Sequence, residues 1–304
     1  MRRIGRLIIA LGLATWLGCG AEPKSAQETA GEAAPARRIV SLNPSLTAIL
    51  LALGAGSQLV GIDDFSARQQ PSVAELPRVG GLYDPSLEGV VALEPDLVVL
   101  VPSAAQRGFR ERLEALEIPV FALDPVSFDD VVESVELLGE RAGRSGAARV
   151  RAAAMRDMRT CVRAHVAGLP PVPAVLVVQR DPLYIAGAGS FVDDMLGMVG
   201  ARNLGAEIGA AWPRTSLEWL IAAAPEVIVD SSRDPTPPAD FWSAWPSIPA
   251  VERGRMVAAR SGITLPGPWL DRSIERLLAA IRPETAATLE CASIDSAATV
   301  GAAR

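Results

Sequence analysis

The feature that most constrains this fold is a pattern that occurs twice, at 85–100 and again at 215–230. The first copy runs Pro85-Ser86-Leu87-Glu88, Gly89-Val90-Val91-Ala92-Leu93, Glu94-Pro95-Asp96, Leu97-Val98-Val99-Leu100. The second runs Thr215-Ser216-Leu217-Glu218, Trp219-Leu220-Ile221-Ala222-Ala223, Ala224-Pro225-Glu226, Val227-Ile228-Val229-Asp230. Serine and proline stand nine positions apart in both. Thr215 and Glu218 have capping-box spacing, and Asp84 is placed to cap a helix whose first residue is Pro85. Proline then ends the helix. The aliphatic run that follows reads as a strand buried on both faces of a parallel sheet. Two such units predict two similar α/β lobes, and sites in such proteins lie between the lobes.

The rest of the chain fits that plan. Residues 39–42 read as a strand, 43–45 as a turn in which Ser45 can cap a helix over 46–53, and 59–62 as a second strand. Residues 63–77 read as polar loop. A helix over 106–117 and a strand over 120–123 follow. Alternating β and α segments predict a parallel sheet with right-handed crossovers. Residues 128–142 and 145–167 are both helical. In the second helix Met155, Met158, Val162 and Val166 form one stripe, and Arg149, Arg156, Arg159 and Arg163 lie on a wetter face. No Pro or Gly interrupts 147–167, and about 30 Å of helix is enough to pass from one lobe to the other. Beyond Pro170 the expected elements are strands over 174–178 and 183–186, a helix over 191–199, the second copy of the pattern, a strand over 256–259 and a helix over 270–281. Residues 240–251 read as short helix and loop, and 283–304 as a loose tail.

Arg2, Arg3 and Arg6 precede an apolar run over 7–17 that ends at Gly18-Cys19, the form of a secretory signal. A cysteine directly after the run resembles a bacterial lipoprotein signal, which implies cleavage before Cys19 and its lipidation. Trp16 stands where that pattern prefers leucine, and ordinary cleavage further on is the alternative. Residues 20–36 are small and polar, a tether reaching about 20 Å. The formal charge is −6, and removing three arginines with the signal leaves −9. That sign disfavours nucleic acid and anionic membrane surfaces as partners. Cys161 and Cys291 remain: export permits a disulfide, while two cysteines so far apart also suit unrelated buried thiols. No Cys/His cluster supports a zinc site.

Catalytic motifs are scarce. There is no phosphate-binding GxxxxGK[ST] loop and no GxSxG elbow. The only histidine, His165, sits late in the arginine-rich helix and reads as a solvated residue, so a hydrolase triad has no support. Neither metal nor cofactor is expected. The loops after parallel strands, which hold ligands in open α/β sheets, carry recognition material instead: Pro44, Phe65, Leu82, Tyr83, Pro102, Gln179, Arg180, Trp212, Ser261 and Gly262. Singly, Tyr83 or Trp212 suits packing on a lobe surface equally well. Together the set favours a small-molecule cleft.

At this point the residues resemble a family. Arg38-Ile39-Val40-Ser41-Leu42 with Pro44-Ser45 and Thr47, Leu53-Gly54-Ala55-Gly56, Leu59-Val60-Gly61, Leu76-Pro77 with Val79-Gly80-Gly81, the two Ser-Leu-Glu copies, Trp212-Pro213 and Pro266-Gly267-Pro268 follow the order found in substrate-binding proteins of bacterial ABC importers for vitamin B12, iron-siderophores and haem. The resemblance covers 38–282. It implies two Rossmann-like lobes with mainly parallel sheets joined by one long helix, little closure on the ligand, and no enzymatic activity. It implies a permease dimer with its ATPase as partner, a monomer before docking, and a location in the periplasm or on the outer face of the cytoplasmic membrane. The match is closest to cobalamin binders: Trp212 stands at their ligand-contacting tryptophan and Phe65 at an aromatic position. Leu82 and Val101 replace tryptophans common there, and Ala48 replaces a glutamate, which leaves room for another corrinoid or a siderophore. The tyrosine of haem binders is placed differently from Tyr83. Glu88 and Glu218, one per copy, either favour their helix ends or, as the resemblance implies, pair with arginines of the permease. The expected division is a signal peptide 1–18, a lipid-anchored tether 19–36, an N-terminal lobe 37–143, a connecting helix 144–169, a C-terminal lobe 170–282 and a tail 283–304. An iron-siderophore or haem carrier is the alternative within the class, and a secreted α/β enzyme the alternative outside it.

Overall fold

The computed structural model describes residues 34–103, 107–259 and 262–291. The signal segment, Cys19, Ser261 and the end of the tail lie outside the described residues. The first lobe contains β1 (Ile39–Ser41), α1 (Pro44–Ala52), β2 (Leu59–Ile62), α2 (Asp64–Gln69), α3 (Leu87–Val91), β3 (Leu97–Leu100), α4 (Arg107–Ala115), β4 (Val120–Ala122) and α5 (Phe128–Arg141). Its four strands are parallel, in the order β2-β1-β3-β4. Helix α6 (Ser145–His165) leads to the second lobe: β5 (Val172–Gln179), β6 (Tyr184–Ile185), α7 (Phe191–Met198), β7 (Ala201–Asn203), α8 (Leu217–Ala223), β8 (Val227–Asp230), α9 (Pro238–Trp242), α10 (Pro249–Glu252), β9 (Met256–Ala258) and α11 (Leu270–Ile281). A single turn, α12 (Pro283–Ala286), follows.

The second sheet repeats the first. Strands β7, β5, β8 and β9 run parallel in the order β7-β5-β8-β9, with the same sequential connections as β2-β1-β3-β4. Strand β6 is an addition: it pairs antiparallel with the far half of β5, while β7 covers the near half. The duplicated pattern lies at the centre of this correspondence. Strands β3 and β8 are buried along their whole length, as central strands covered on both faces must be. The residues before the two prolines, Glu94 (φ 46°) and Ala224 (φ 49°), are both left-handed. Each turns the chain from helix to strand where a following proline disfavours the right-handed helical region. Asp96 then accepts from the amides of Arg37 (2.8 Å) and Arg38 (2.9 Å), which pins the start of β1 to the start of β3.

The capping residues differ from expectation by one or two positions. Ser86 caps α3, accepting from the Gly89 amide at 3.0 Å, and Ser216 caps α8, accepting from Trp219 at 3.3 Å. Asp84 and Thr215 therefore precede the caps, since the serine hydroxyl is the group that reaches the third helical amide. At α1 the cap is Asn43, whose side chain accepts from Ser45, with Pro44 as first helical residue. Residues expected as polar loop form α2, capped by Asp63. That aspartate is fully buried: Oδ1 accepts from the amides of Phe65 and Ser66, and Oδ2 from the Ser66 hydroxyl. Ser66 is bonded in turn to Thr47 (2.8 Å), and Thr47 to Ser41 (2.8 Å). A buried polar chain thus locks the starts of α1 and α2 to the end of β1.

A shared apolar core joins the two lobes. One apolar cluster runs from Leu46 and Ile49 of α1, through Val131 and Val135 of α5 and Met155 and Met158 of α6, to Leu176, Leu196 and Leu277 of the second lobe. Two separate clusters cover the outer sheet faces, one per lobe. The predicted α6 stripe is buried. Two of its four outward arginines do more than face water: Arg156 grips both oxygens of Glu136 at 2.7 Å, and Arg159 pairs with Asp129, both on α5. Arg151 on α6 pairs with Asp271 on α11, and the Phe128 amide donates to Asp194 across the lobes at 2.9 Å.

The tail is tied down as far as it is described. Cys161 and Cys291 form a disulfide, which decides between the two readings of these cysteines. The His165 ring Nε2 lies 3.0 Å from the Thr285 carbonyl, so this histidine braces the tail and is only half exposed. Residues 283–291 are therefore not loose. Among the described residues no helix is long and apolar enough to cross a membrane.

Candidate functional site

The polar chain at the start of α1 and α2 fixes the first lobe's contribution. Pro44 is buried as the first residue of α1, where it shapes the strand-to-helix turn. Phe65, in the first turn of α2, is 37% exposed with the Arg68 guanidinium 4.4 Å from its ring centre. The turn over Gly80–Pro85 is bound to α2 by the Asp64 amide donating to Gly80 (2.9 Å). It holds Leu82 half-buried and leaves Tyr83 exposed at 72%. Pro102 is exposed just beyond β3.

In the second lobe Trp212 sits on a loop pressed against Gly187. The Gly187 amide donates to the Ala211 carbonyl at 2.9 Å, and a Cβ at 187 would lie 2.1 Å from the Ala210 oxygen. Glycine is required there for the loop to come so close. Phe191 meets the Trp212 indole edge-on at 5.9 Å, and the indole stays 40% exposed. Gln179 is exposed, its amide donating to Asp181. Gly262 is exposed with φ 99°.

Arg180 is placed differently from the rest. Its side chain is 3% exposed, and its Nε donates to Asp230 at 2.9 Å. Its Nη1 reaches the Thr236 carbonyl (2.8 Å) and Asp234 (3.3 Å). Trp242 Nε1 donates to the same Asp230 carboxylate at 2.7 Å. Arg180 is the centre of a buried structural network, its Nε and Nη1 committed to acceptors of the protein itself. A cavity of about 260 Å³ lies beside it, against Phe241 and Trp245 and the start of α8.

The larger cavity, about 510 Å³, opens between the lobes. Its first-lobe wall is Ala48, Leu51 and Ala52 of α1 with Gln69, Gln70 and Ser72. Its second-lobe wall is Gly262, Leu265, Gly267, Pro268 and Trp269 with Arg272, Ser273 and Arg276 of α11. Phe65 and Gln69 are four apart on α2 and share a helix face; Gln69 lines the cavity, and Phe65 stands one turn nearer the start of the helix. Trp269 is 41% exposed, with the Arg272 and Arg151 guanidinium groups 4.4 Å and 4.7 Å from its ring centre. Of the sequence-predicted residues that are described, only Gly262 lines the cavity itself. Trp269, Arg272 and Arg276 were not foreseen, although a tryptophan closing a Pro-Gly-Pro turn before a helix was a usable signal.

Glu88 and Glu218 occupy the second helical position of α3 and α8, and both are exposed. Hydrogen bonding from Ser216, then from its own backbone amide, holds the Glu218 carboxyl below its ordinary range, so it stays charged. Among the described residues no cluster of three His, Cys, Asp or Glu is placed to hold a metal.

Two parallel-sheet lobes, bridged by one helix and enclosing a cavity with walls from both, define a solute-binding protein of the ABC importer class. The chain belongs to the periplasmic binding protein family, whose sequence profile matches residues 39–261. It is similar to the vitamin B12-binding protein of Vibrio parahaemolyticus, 24% identical over 248 residues that cover 81% of this chain and 87% of that one. Its fold matches the periplasmic vitamin B12 binding protein BtuF of Vibrio cholerae, with a TM-score of 0.73 and 22% identity, over 84% of this chain and 99% of that one. It also matches the periplasmic haem-binding protein RhuT from Roseiflexus, with a TM-score of 0.70 and 24% identity, over 82% and 99%. Proteins of this family bind solutes and deliver them to a membrane permease; it is not a family of enzymes.

Proposed function

We propose that this protein is a lipid-anchored carrier that captures a cobalamin-type corrinoid between its lobes and hands it to an importer. The observation that carries this reading is the 510 Å³ inter-lobe cavity, with Phe65 exposed on the first lobe and Trp212 on the second and relatives named as vitamin B12-binding proteins. An aromatic ring gives a flat macrocycle a large contact area at little entropic cost. Cys19 carries the lipid anchor, and the carrier is a monomer until Glu88 and Glu218 engage arginines on the two permease subunits. Two matched charges set orientation and docking rate more than affinity. The test is an absorption spectrum of protein purified from rich medium, followed by titration with cobalamin while tryptophan emission is recorded. A corrinoid spectrum and saturable quenching, weakened by about 1–3 kcal/mol in Trp212→Ala, are expected. A haem spectrum would move the assignment to the haem carriers, the second reading, which the RhuT-like fold keeps in view.

A further inference from the structure

Trp212 is held from two directions. Its backbone is fixed first. The Gly187 amide donates to the Ala211 carbonyl at 2.9 Å and the Ile185 amide to the Pro213 carbonyl at 3.2 Å, one bond on each side of the tryptophan. With the chain pinned before and after it, the freedom left to the indole is rotation about its two side-chain bonds. That rotation is limited by Phe191, whose ring centre lies 5.9 Å from the indole at an interplanar angle of 60°, the geometry of a favourable edge-on aromatic pair. Such a contact takes at most one face of the indole, and the side chain stays 40% exposed.

Phe191 is a fixed reference for that ring. It is 2% exposed and belongs to the apolar cluster that joins the lobes. It is the first residue of α7, directly after the cap Ser190. The Ser190 hydroxyl donates to the Gly187 carbonyl at 3.0 Å. One residue, Gly187, thus anchors both ring-bearing segments: its N–H holds the Trp212 loop and its C=O holds the start of α7. Asp194, in the first turn of the same helix, accepts from the Phe128 amide of the first lobe at 2.9 Å. The support behind the indole is therefore tied to both lobes. Core packing alone asks only for apolar volume at position 191. An aromatic ring there adds a contact that depends on the orientation of its partner.

We propose that Phe191 is a positioning residue of the ligand site, whose ring fixes the Trp212 indole in the orientation that meets the cargo. The proposal rests on the carrier reading above, in which Trp212 is the aromatic platform of the second lobe. A platform ordered before the ligand arrives binds without the cost of ordering it.

The experiment replaces the ring by apolar bulk, in Phe191→Leu and in a second variant, Phe191→Met. Val192→Ala, at a fully buried position of the same helical turn, is the control for lost core packing. The first readout needs no ligand. The Trp212 emission is isolated by subtracting the signal of Trp212→Phe in the same background, and its time-resolved anisotropy is followed. In wild type and in Val192→Ala the indole should turn only with the whole protein. In both Phe191 variants a faster local component should appear. The second readout is a double-mutant cycle with cobalamin as probe, or with haemin where the purified protein carries a haem spectrum. Phe191→Leu should weaken binding about three- to tenfold, but by less than about twofold in a Trp212→Ala background. Val192→Ala should melt lower and bind within about twofold of wild type. Anisotropy that is unchanged in both Phe191 variants overturns the proposal. So does an equal loss of affinity in the two backgrounds, or in Val192→Ala, because the effect is then one of core packing. Trp212→Ala that binds as tightly as wild type defeats the role of Trp212 in the carrier reading and the proposal with it. Wild type that binds neither probe defeats the assignment of cargo, and the anisotropy alone then decides whether Phe191 orients the indole.

Discussion

Arg180 gives the most direct test of how residues divide between scaffold and site. Its guanidinium and the Asp230 carboxylate are 3% and 1% exposed. Arg180→Ala leaves that carboxylate with the Trp242 indole N–H and the Ser232 amide, and with no counter-charge in contact. Stranding one member of a buried pair costs about 3–5 kcal/mol. At about 2–4 °C per kcal/mol for a chain of this size, the melting temperature should fall by roughly 10 °C. Replacing both partners, Arg180→Met with Asp230→Asn, removes the stranded charge and should cost less than the single change, the non-additivity expected of groups in contact. Thermal melts followed by circular dichroism measure the first effect. Ligand titration well below the melting range measures the second quantity that matters, which should stay within about twofold of wild type. A variant that melts within a degree or two of wild type yet binds tenfold more weakly would refute this assignment and return Arg180 to the ligand site.

The other expectations are simpler. Glu88→Gln with Glu218→Gln should leave ligand affinity unchanged and abolish most uptake and ligand-stimulated ATPase activity in the reconstituted importer; normal transport by the double variant defeats the docking role. The Cys161–Cys291 bond spans 130 residues, so its loss lowers stability by up to about 5 kcal/mol in the chain-entropy limit, and less if residues 283–291 detach before the lobes unfold; an unchanged melt under reducing conditions contradicts this. Asp130 is held below its ordinary value of 3.8 by bonds from the Ser127 hydroxyl and then the Ser127 amide. A depressed carboxyl stabilises the fold above its unfolded value and loses that effect as pH falls through the folded one. Asp130→Asn should therefore cost ~1 kcal/mol near neutral pH and nothing once the acid is protonated; a gap in melting temperature that persists at pH 2 counts against it.

Most of the scaffold was legible because it rests on long-range regularities of the sequence. The duplicated helix–proline–strand pattern carried the two lobes, and the uninterrupted stretch before Pro170 carried α6. Helix α11 was readable residue for residue, since its apolar positions repeat at the helical period up to Arg282. What escaped was set by single contacts. Asp63 looked like the start of a polar loop because nothing local shows that its carboxylate is buried and bonded to Ser66. Strand β7 is three residues long and owes its existence to pairing with Val172–Gln179, not to any alternation of its own. The caps fell on serine instead of the neighbouring Asp84 and Thr215 because the hydroxyl that reaches the third amide is decided by the entry angle of the chain. The site divided the same way. Phe65, Tyr83 and Trp212 were visible as aromatic residues on loops and are exposed on the folded protein. Arg180 looked like a ligand group, and only the position of Asp230 fifty residues away reveals that its guanidinium is held in a buried ion pair. Trp269 and the arginines of α11 were hidden because a cavity between lobes belongs to neither lobe's sequence pattern.

The joined core bears on how such a carrier works. A hinge needs a segment where few contacts cross, yet here one apolar cluster passes from the first lobe through α5 and α6 into the second. It is reinforced by the Arg151–Asp271 pair and by Phe128 with Asp194. Opening the lobes by a large angle would expose that cluster to water, at about 25 cal/mol for each Å² of apolar surface. The cavity must then largely exist before the ligand arrives. A preformed site binds without the ordering cost of closure, but it also gives up closure as a signal. Under the proposed docking role of Glu88 and Glu218, the loaded state is then read from what the bound ligand itself presents at the cleft and from small shifts in the spacing of that pair. The two glutamates sit on the first turns of α3 and α8, each anchored through a proline turn to a central strand of its own sheet. Any change in the distance between the lobes is therefore transmitted to that pair without loss in a flexible linker.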